Sequence, residues 1–176
     1  MTEAPDSMNF DDFELGSKHE TLTVDTSKDN QAAVLAMLKQ ARRTIEVFSD
    51  NLDPRILDDA DICSAISQFI RISPNSSLRI LLKDSSRIVT RGHRWIEMSR
   101  KFDSYIKIRK THDDYQTVPY NFIIVDGRGL IYRPNAESYY AVVDFSAGAE
   151  CRQHQEFFSE VWEMSSTDPE LNRLYL

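Results

Sequence analysis

The side chains best suited to hold a polar ligand lie in one segment, residues 119–135. Residues 122–125 are apolar and mostly β-branched, which predicts a buried strand, and residues 126–129 read Asp-Gly-Arg-Gly, which is typical of a tight turn. Residues 130–133 predict the returning strand of a β-hairpin. Amide, carboxylate and guanidinium groups can together bind an anion or a hydroxyl group. The candidate ligand-binding residues of this segment are Asn121, Asp126, Arg133 and Asn135.

Three further candidates follow predicted strands elsewhere in the chain. Asp50 and Asn51 come directly after a predicted strand at residues 44–49, and Lys83 follows one at residues 78–82. Loops at the carboxyl ends of strands in an α/β sheet are common ligand sites, so we add these residues to the candidate set. The alternative for Asp50 and Asn51 is a role in turns and helix caps, which is the commoner use of these residue types.

A predicted helix over residues 87–102 carries a basic stripe at helical spacing, formed by Arg87, Arg91, Arg94 and Lys101. Such a stripe is either a solvated helix face or an anion-binding surface, because guanidinium groups fit phosphate oxygens in pairs. Gly92 and His93 interrupt the helix-forming residues and predict a kink or a later helix start. His93 is the last ligand-binding candidate, and the alternative is a histidine whose hydrogen bonds are satisfied at the helix boundary.

The sequence offers only weak patterns for metal binding. His112 precedes Asp113 and Asp114, but three adjacent residues on a loop do not all point at one ion. Cys151 and His154 are three residues apart, yet no further pair of ligands lies near them in the sequence. We therefore predict neither a metal nor a cofactor.

The net charge of -7 is unevenly distributed along the chain. Residues 1–30 hold eight acidic and two basic side chains, whereas residues 79–110 hold ten basic and three acidic ones. An acidic protein is a poor general binder of nucleic acid, so we do not expect nucleic acid as a partner. The basic segment suits a phosphate-bearing ligand or an acidic protein partner instead.

Length and composition predict one folded domain between two tails. Residues 1–19 are polar and acidic and predict a disordered tail, with a short docking segment or a segment folded over its own domain as alternatives. We place the domain at residues 20–165 and a C-terminal tail at residues 166–176. There is no apolar run long enough to span a bilayer, no signal peptide and no disulfide framework, so we predict a soluble cytoplasmic protein without membrane contact.

Predicted helices and strands alternate along most of the chain, which indicates parallel strands joined by helices. The hairpin adds antiparallel pairing to the same sheet. We therefore predict an α/β fold with a mixed β-sheet flanked by helices.

The hairpin also resembles the motif strand of phospholipase D-type phosphodiesterases, which reads H-x-K-x-x-x-x-D. Placing the motif aspartate on Asp126 puts the motif lysine on Asn121 and the motif histidine on Pro119. The resemblance implies a phospholipase D-like fold. In that family the histidine is the nucleophile and the lysine holds the phosphate, so the resemblance also implies a degenerate site without the usual chemistry.

A second resemblance is to an uncharacterised bacterial domain that occurs alone or fused to GNAT-type acetyltransferases. It rests on residues 78–82, 92–94 and 104–109 together with the hairpin. It predicts a bacterial protein and implies no function. Active phospholipase D-like enzymes need two copies of the motif, and this chain holds one, so the family resemblance allows a homodimer joined through the motif face.

These patterns together predict a non-catalytic phospholipase D-like module that binds an anionic ligand or a protein partner. One alternative is a phosphodiesterase with relocated catalytic residues, in which His93 replaces the nucleophile and Lys83 or Arg133 holds the phosphate. The other alternative is a structural domain that binds a protein partner through the acidic and aromatic segment at residues 8–15.

Overall fold

The computed structural model describes residues 7–172, which contain seven β-strands and seven α-helices. The strands are β1 (Leu22–Val24), β2 (Thr44–Ser49), β3 (Ser77–Leu82), β4 (Ile106–Lys110), β5 (Asn121–Val125), β6 (Gly129–Arg133) and β7 (Ala141–Asp144). The helices are α1 (Ser27–Leu38), α2 (Pro54–Leu57), α3 (Ala60–Ile72), α4 (Ser86–Arg91), α5 (Arg94–Lys101), α6 (Gly148–Met164) and α7 (Pro169–Asn172). Within this range the structure has no helix with the length and apolar character needed to cross a bilayer.

All seven strands form one sheet in the order β1-β7-β6-β5-β2-β3-β4. β2, β3 and β4 are parallel, as strands joined by helical crossovers are. β5 pairs antiparallel with β2, and β6, β7 and β1 continue the antiparallel half. The predicted mixed sheet flanked by helices is therefore confirmed.

Helices cover both faces of the sheet, because alternate residues of a strand point to opposite sides. Ile45 and Val47 of β2 belong to the larger core, which includes the inner faces of α1, α3 and α5. Phe48 of the same strand belongs to a smaller core that contains Phe158 and Val161 of α6. Because both faces of the sheet are covered by helices, polar groups of the central strands can reach solvent only in the loops at the strand ends.

The predicted hairpin is present, with the turn between β5 and β6 beginning at Asp126. Asp126 and Gly127 have positive φ angles of 53° and 62°, which a tight turn requires and which glycine and aspartate tolerate well. The Asp126 carboxylate accepts backbone N–H groups from Arg42, Arg43 and Thr44 at 2.8, 2.7 and 2.9 Å. Asp126 therefore holds the connection between α1 and β2 in place.

The helix predicted at residues 87–102 is two helices, α4 and α5. Gly92 has a φ of 76° and donates its N–H to the Ile88 carbonyl at 2.8 Å, which ends α4. His93 then caps α5, because its Nδ1 accepts the Trp95 N–H at 3.1 Å. The sequence signal at Gly92 and His93 thus marks a complete break between helices.

The N-terminal strap, residues 7–16, packs against the domain. Phe10 is 2% exposed and its ring stacks on that of Phe145 with centroids 6.2 Å apart. The Leu15 N–H donates to the Gln40 side chain at 2.7 Å. The prediction of a disordered tail is therefore wrong for residues 7–19, because apolar side chains set among the acidic ones reach the core; residues 1–6 lie outside the described residues.

The C-terminal segment is also packed where the structure describes it. Lys110 donates its N–H to the Ser166 carbonyl at 2.7 Å, which attaches this segment to the edge strand β4. Leu171 is 7% exposed and joins the larger core. The predicted tail at residues 166–176 is thus part of the fold up to α7, and residues 173–176 lie outside the described range.

We predict that Phe10→Ala lowers the free energy of unfolding by about 3 to 5 kcal/mol, because it removes a buried aromatic ring and leaves a cavity. Met8→Ala is the control: Met8 lies in the same strap but is 45% exposed, so its loss should change stability by less than about 0.5 kcal/mol. Urea unfolding of both variants measures the difference. A Phe10→Ala protein as stable as the Met8→Ala protein would show that the strap does not contribute to the core.

Asp126→Ala should lower the free energy of unfolding by about 2 to 3 kcal/mol, because three backbone N–H groups lose a charged acceptor. Asp126→Asn keeps one acceptor oxygen and tolerates the left-handed backbone, so we expect a smaller loss. Chemical denaturation measures both variants. An Asp126→Ala protein as stable as the wild type would contradict the structural role of this carboxylate.

Candidate functional site

The sheet topology brings four of the predicted ligand-binding residues to one edge. β2 and β3 end there, and Asp50 and Lys83 are the residues that directly follow them. The antiparallel strand β5 begins at the same edge, where Asn121 pairs with Arg133 of β6. We call Asp50, Lys83, Asn121 and Arg133 the polar edge.

The two motif positions at this edge make structural contacts. Asn121 is buried, and its side-chain oxygen accepts the Asp50 N–H at 3.0 Å. The Pro119 carbonyl accepts the Ala136 N–H at 2.8 Å. A proline and a neutral amide therefore connect neighbouring loops here, and neither side chain can act as a nucleophile or as a cation.

Lys83 is the cation nearest to these positions along β3, but it is already paired. Its ammonium group forms an ion pair with Asp50 and also donates to the Val118 carbonyl. The Lys83 side chain is 6% exposed and lies 5.4 Å from the centre of the Phe48 ring. A buried ammonium with these partners offers little charge to an incoming anion.

Arg133 is largely engaged in holding the loop that follows β6. Its guanidinium donates to the Ser138 carbonyl at 3.0 and 2.8 Å and to the Ala136 carbonyl at 2.7 Å. Burial lowers the pKa of Arg133, and the Asp53 carboxylate partly opposes this change. Asn135 lies in the same loop, is exposed, and accepts the Glu137 N–H at 3.0 Å in a local turn.

A cavity of about 30 Å³ lies behind the polar edge. Asn30 lines it, and its amide nitrogen donates to the carbonyls of Thr26 and Tyr139 at 2.8 and 2.6 Å. Its Oδ1 atom is buried without a hydrogen-bond partner among the described residues. A space of this size suits a bridging water molecule and is too small for an organic ligand. The other polar residues of its lining are Ser49, Asp53, Asn121 and Arg133.

A second and larger cleft, of about 130 Å³, lies beside the loop that follows β2. Asn51 and Pro54 form one side of it, and Arg87 and Arg91 of α4 form the other. We call this space the arginine cleft. Its remaining lining residues are Asp58, Ile88, Gly92 and His93.

His93 contacts backbone on both sides of its ring. Its Nε2 lies 3.0 Å from the Leu52 carbonyl, and Nδ1 accepts the Trp95 N–H, so the hydrogen bonds place the proton on Nε2. The ring is buried, and this burial lowers the pKa of His93 below its ordinary value of 6.5, with Asp58 partly opposing. His93 is thus a neutral, structural imidazole in this arrangement.

The predicted basic stripe is divided between two environments. Arg87 and Arg91 line the arginine cleft, whereas Arg94 pairs with Asp58 at 3.1 Å and also donates to the Asp58 carbonyl at 2.9 Å. Lys101, at the far end of α5, does not line the cleft. The break between α4 and α5 is the reason that the four residues do not form one continuous stripe.

Sequence reasoning missed three residues that shape these spaces. Asn30 lies within α1, where nothing in the sequence distinguishes it from a solvated polar residue. Asp53 and Asp58 follow the same predicted strand as Asp50 and Asn51 but were not among the candidate residues. Asp53 does cap α2 through the Arg55 N–H at 3.0 Å, yet it also lines the small cavity.

The thiols and the weak metal patterns gain no support from the geometry. Burial raises the pKa of Cys63 to about 11 and that of Cys151 to about 12, so both remain thiols near neutral pH. Across residues 7–172, no three His, Cys, Asp or Glu side chains come together to form a metal-binding group. The predicted lack of a metal and of a cofactor stays a prediction.

We predict that protonation of His93 contributes to acid destabilisation. Because burial lowers its pKa in the folded state, the unfolded chain binds the proton first as the pH falls below about 6.5. The stability is therefore complete above this pH and is lost as the pH falls through the window below it. Unfolding free energies of the wild type and of His93→Asn, measured at pH 7.5 and 5.5, test this.

Asn at position 93 can still cap α5, so the variant should fold, with lower stability at pH 7.5 because the contact with Leu52 is lost. Its stability should fall less between the two pH values than that of the wild type. His154, whose pKa is also lowered by burial, is present in both proteins and cancels in the comparison. An equal fall in both proteins would exclude His93 as the titrating group.

Solved structures of other proteins share this fold. Nuc from Salmonella typhimurium, a phospholipase D family member, has a TM-score of 0.61 and 16% identity over 84% of this chain and 97% of Nuc. NucT from Helicobacter pylori has a TM-score of 0.60 and 10% identity over 86% of this chain and all of NucT. At these identities the likeness concerns the fold, which is therefore phospholipase D-like.

The third structure is TrmBL2, an archaeal chromatin protein described as showing a novel mode of DNA binding. It has a TM-score of 0.62 and 16% identity over 84% of this chain and 53% of TrmBL2, so the chain spans about half the length of that protein. No curated protein matches the sequence. The family model described as "Domain of unknown function (DUF7931)" matches residues 26–174, and the chain therefore belongs to the DUF7931 family.

Proposed function

We propose that this protein is a non-catalytic phospholipase D-like module that binds an anionic, phosphate-bearing ligand. The observation that carries the proposal is that the residues at the motif positions have structural roles and lack the catalytic groups. Asn121 stands where the phospholipase D motif has its lysine, and its amide oxygen holds the Asp50 backbone. Pro119 stands where the motif has its histidine, and it has no nucleophilic atom in its side chain.

The surroundings of the motif also argue against relocated chemistry. A nucleophile needs a free lone pair within reach of the substrate and of a base. Both nitrogens of His93 contact backbone groups, and His93 lines a different cavity from Arg133. Lys83 is buried in an ion pair with Asp50.

The charge of the segment that carries the cleft arginines supports an anionic ligand. Residues 79–110 hold ten basic and three acidic side chains, and they include both arginines of the arginine cleft. Arg87 and Arg91 make no ion pair or side-chain hydrogen bond with any other residue of the range 7–172. Unpaired guanidinium groups at a cleft are the usual protein partners of phosphate.

The descriptions of two proteins with a similar fold agree with an anionic ligand but do not identify that ligand. TrmBL2 is described as binding DNA, and Nuc as a phospholipase D family member. For this chain we propose a small phosphate-bearing ligand in preference to nucleic acid, because its net charge of -7 opposes a long polyanion. A homodimer joined through the motif face remains a prediction.

The docking alternative at residues 8–15 has less support. Phe10 is buried and its ring lies 6.1 Å from that of Phe13, which in turn stacks on Phe145 at 5.5 Å. The aromatic side chains that a partner would recognise therefore already contact the domain. Release of the strap would have to precede any such docking.

We predict no hydrolysis of bis-p-nitrophenyl phosphate by the wild-type protein, together with saturable binding of pyrophosphate at low salt that weakens as salt is added. Absorbance at the nitrophenolate band and isothermal calorimetry measure the two properties. A phospholipase D family nuclease in the same assay provides the positive control.

Turnover that disappears in His93→Ala would contradict the proposal and establish relocated catalytic residues. Turnover that survives in this variant would equally contradict a non-catalytic module. If the wild-type protein binds no phosphate-bearing probe at low salt, the proposal of an anionic ligand is excluded and a protein partner is favoured.

A further inference from the structure

We propose that the arginine cleft is a binding site for one phosphate group of a small molecule, held by Arg87 and Arg91. The inference rests on the proposed function and gives it a location away from the degenerate motif. It assigns the ligand to the cleft between α4 and the loop after β2. The motif strand supports this loop and does not bind the ligand itself.

The spacing of the two arginines suits a shared anion. Residues four apart on a helix lie one turn above each other on the same face, with Cβ atoms about 5–6 Å apart. Both side chains are exposed and line the cleft. Two guanidinium groups at this separation can direct N–H groups at the oxygens of a single phosphate.

The acidic residue of the cleft is already neutralised. Asp58 lines the same space, but its carboxylate pairs with Arg94 at 3.1 Å. The Arg94 backbone N–H donates to that carboxylate as well, at 3.2 Å. The cleft therefore keeps the two positive charges of Arg87 and Arg91 without a free carboxylate to cancel them.

The backbone at the break between α4 and α5 leaves the cleft open. A Cβ atom built on Gly92 would have no heavy atom within 4 Å apart from those of Gly92 and its chain neighbours, so space remains in front of this residue. On the opposite side, the amide of Asn51 supplies a further hydrogen-bond donor to the lining.

The lining also restricts the ligand class. A space of about 130 Å³ accommodates a phosphate group but not a complete nucleotide. The lining contains no aromatic residue except His93, whose ring is buried against Trp95 and Leu52, so no exposed ring is offered for base stacking. We therefore expect recognition of the phosphate, with the remainder of the ligand in solvent.

The test is an amide NMR titration of the full chain with inorganic phosphate and with glycerol 2-phosphate, at constant low ionic strength. We expect saturable shifts of the amides at residues 86–94 with both probes. The variant R87A/R91A should bind at least about tenfold more weakly, because it loses the charge-assisted hydrogen bonds of both guanidinium groups. R87K/R91K keeps the charge but loses the paired N–H geometry and should weaken binding less.

R71A/K101A is the matched control, because it removes two exposed positive charges outside the cleft and changes the net charge equally. Its affinity should stay within about twofold of the wild type. A fourth arm uses a twelve-nucleotide single strand without terminal phosphates, which should not compete with glycerol 2-phosphate. Competition by this strand would show that the cleft accepts internal phosphodiesters, and it would overturn the assignment to a small ligand.

The outcomes separate this inference from the proposed function. Wild-type binding that R87A/R91A does not weaken would overturn the cleft assignment and leave an anion site elsewhere on the domain. Equal losses in R87A/R91A and R71A/K101A would show a diffuse charge effect and would also overturn it. Hydrolysis of bis-p-nitrophenyl phosphate would contradict the non-catalytic function even if the cleft binds phosphate as expected.

Discussion

A left-handed turn at Leu52 is the constraint on which this end of the protein depends. Leu52 has a φ of 51°, a conformation that costs a non-glycine residue roughly 1–2 kcal/mol. Three elements hold it: Ser49 Oγ accepts the Leu52 N–H, the Asn121 amide accepts the Asp50 N–H, and His93 donates to the Leu52 carbonyl, each at 3.0 Å. This bend separates the small cavity from the arginine cleft, so the same contacts shape both.

The polar residues that resemble a catalytic set are therefore largely the framework of a loop. Buried polar groups must be hydrogen-bonded, and Asn121, His93 and Lys83 satisfy this need through backbone groups or an ion pair. Asp126 has the same role at the opposite end of β5, where it holds backbone N–H groups. Arg87 and Arg91 make no such contacts within residues 7–172; they are exposed and were expected only as part of a helical stripe.

The parts of the fold that local sequence determines were predictable. The apolar run of β5 and the turn at Asp126 identify the hairpin, and Gly92 marks the end of α4. The packing of the strap was not predictable, because acidic composition indicates disorder while the burial of Phe10 depends on Phe145, far away in the chain. The candidate site could be predicted only in part for the same reason. The sequence shows which residue types follow each strand, but the hydrogen-bond partners of these residues come from distant parts of the chain and leave no local pattern.

The arrangement of charge is consistent with the proposed binding of a phosphate by an acidic protein. β1, which follows the acidic strap in the sequence, is one edge strand of the sheet, and β4, which ends the basic segment, is the other. At physiological ionic strength charges are screened beyond about 8 Å, so a ligand in the arginine cleft responds mainly to its immediate surroundings. A small phosphate compound in the cleft meets Arg87 and Arg91 at close range, with Asp58 paired to Arg94, whereas an extended polyanion would also approach acidic surface. The separation of charge thus favours a compact ligand over a long one without any base-specific contact.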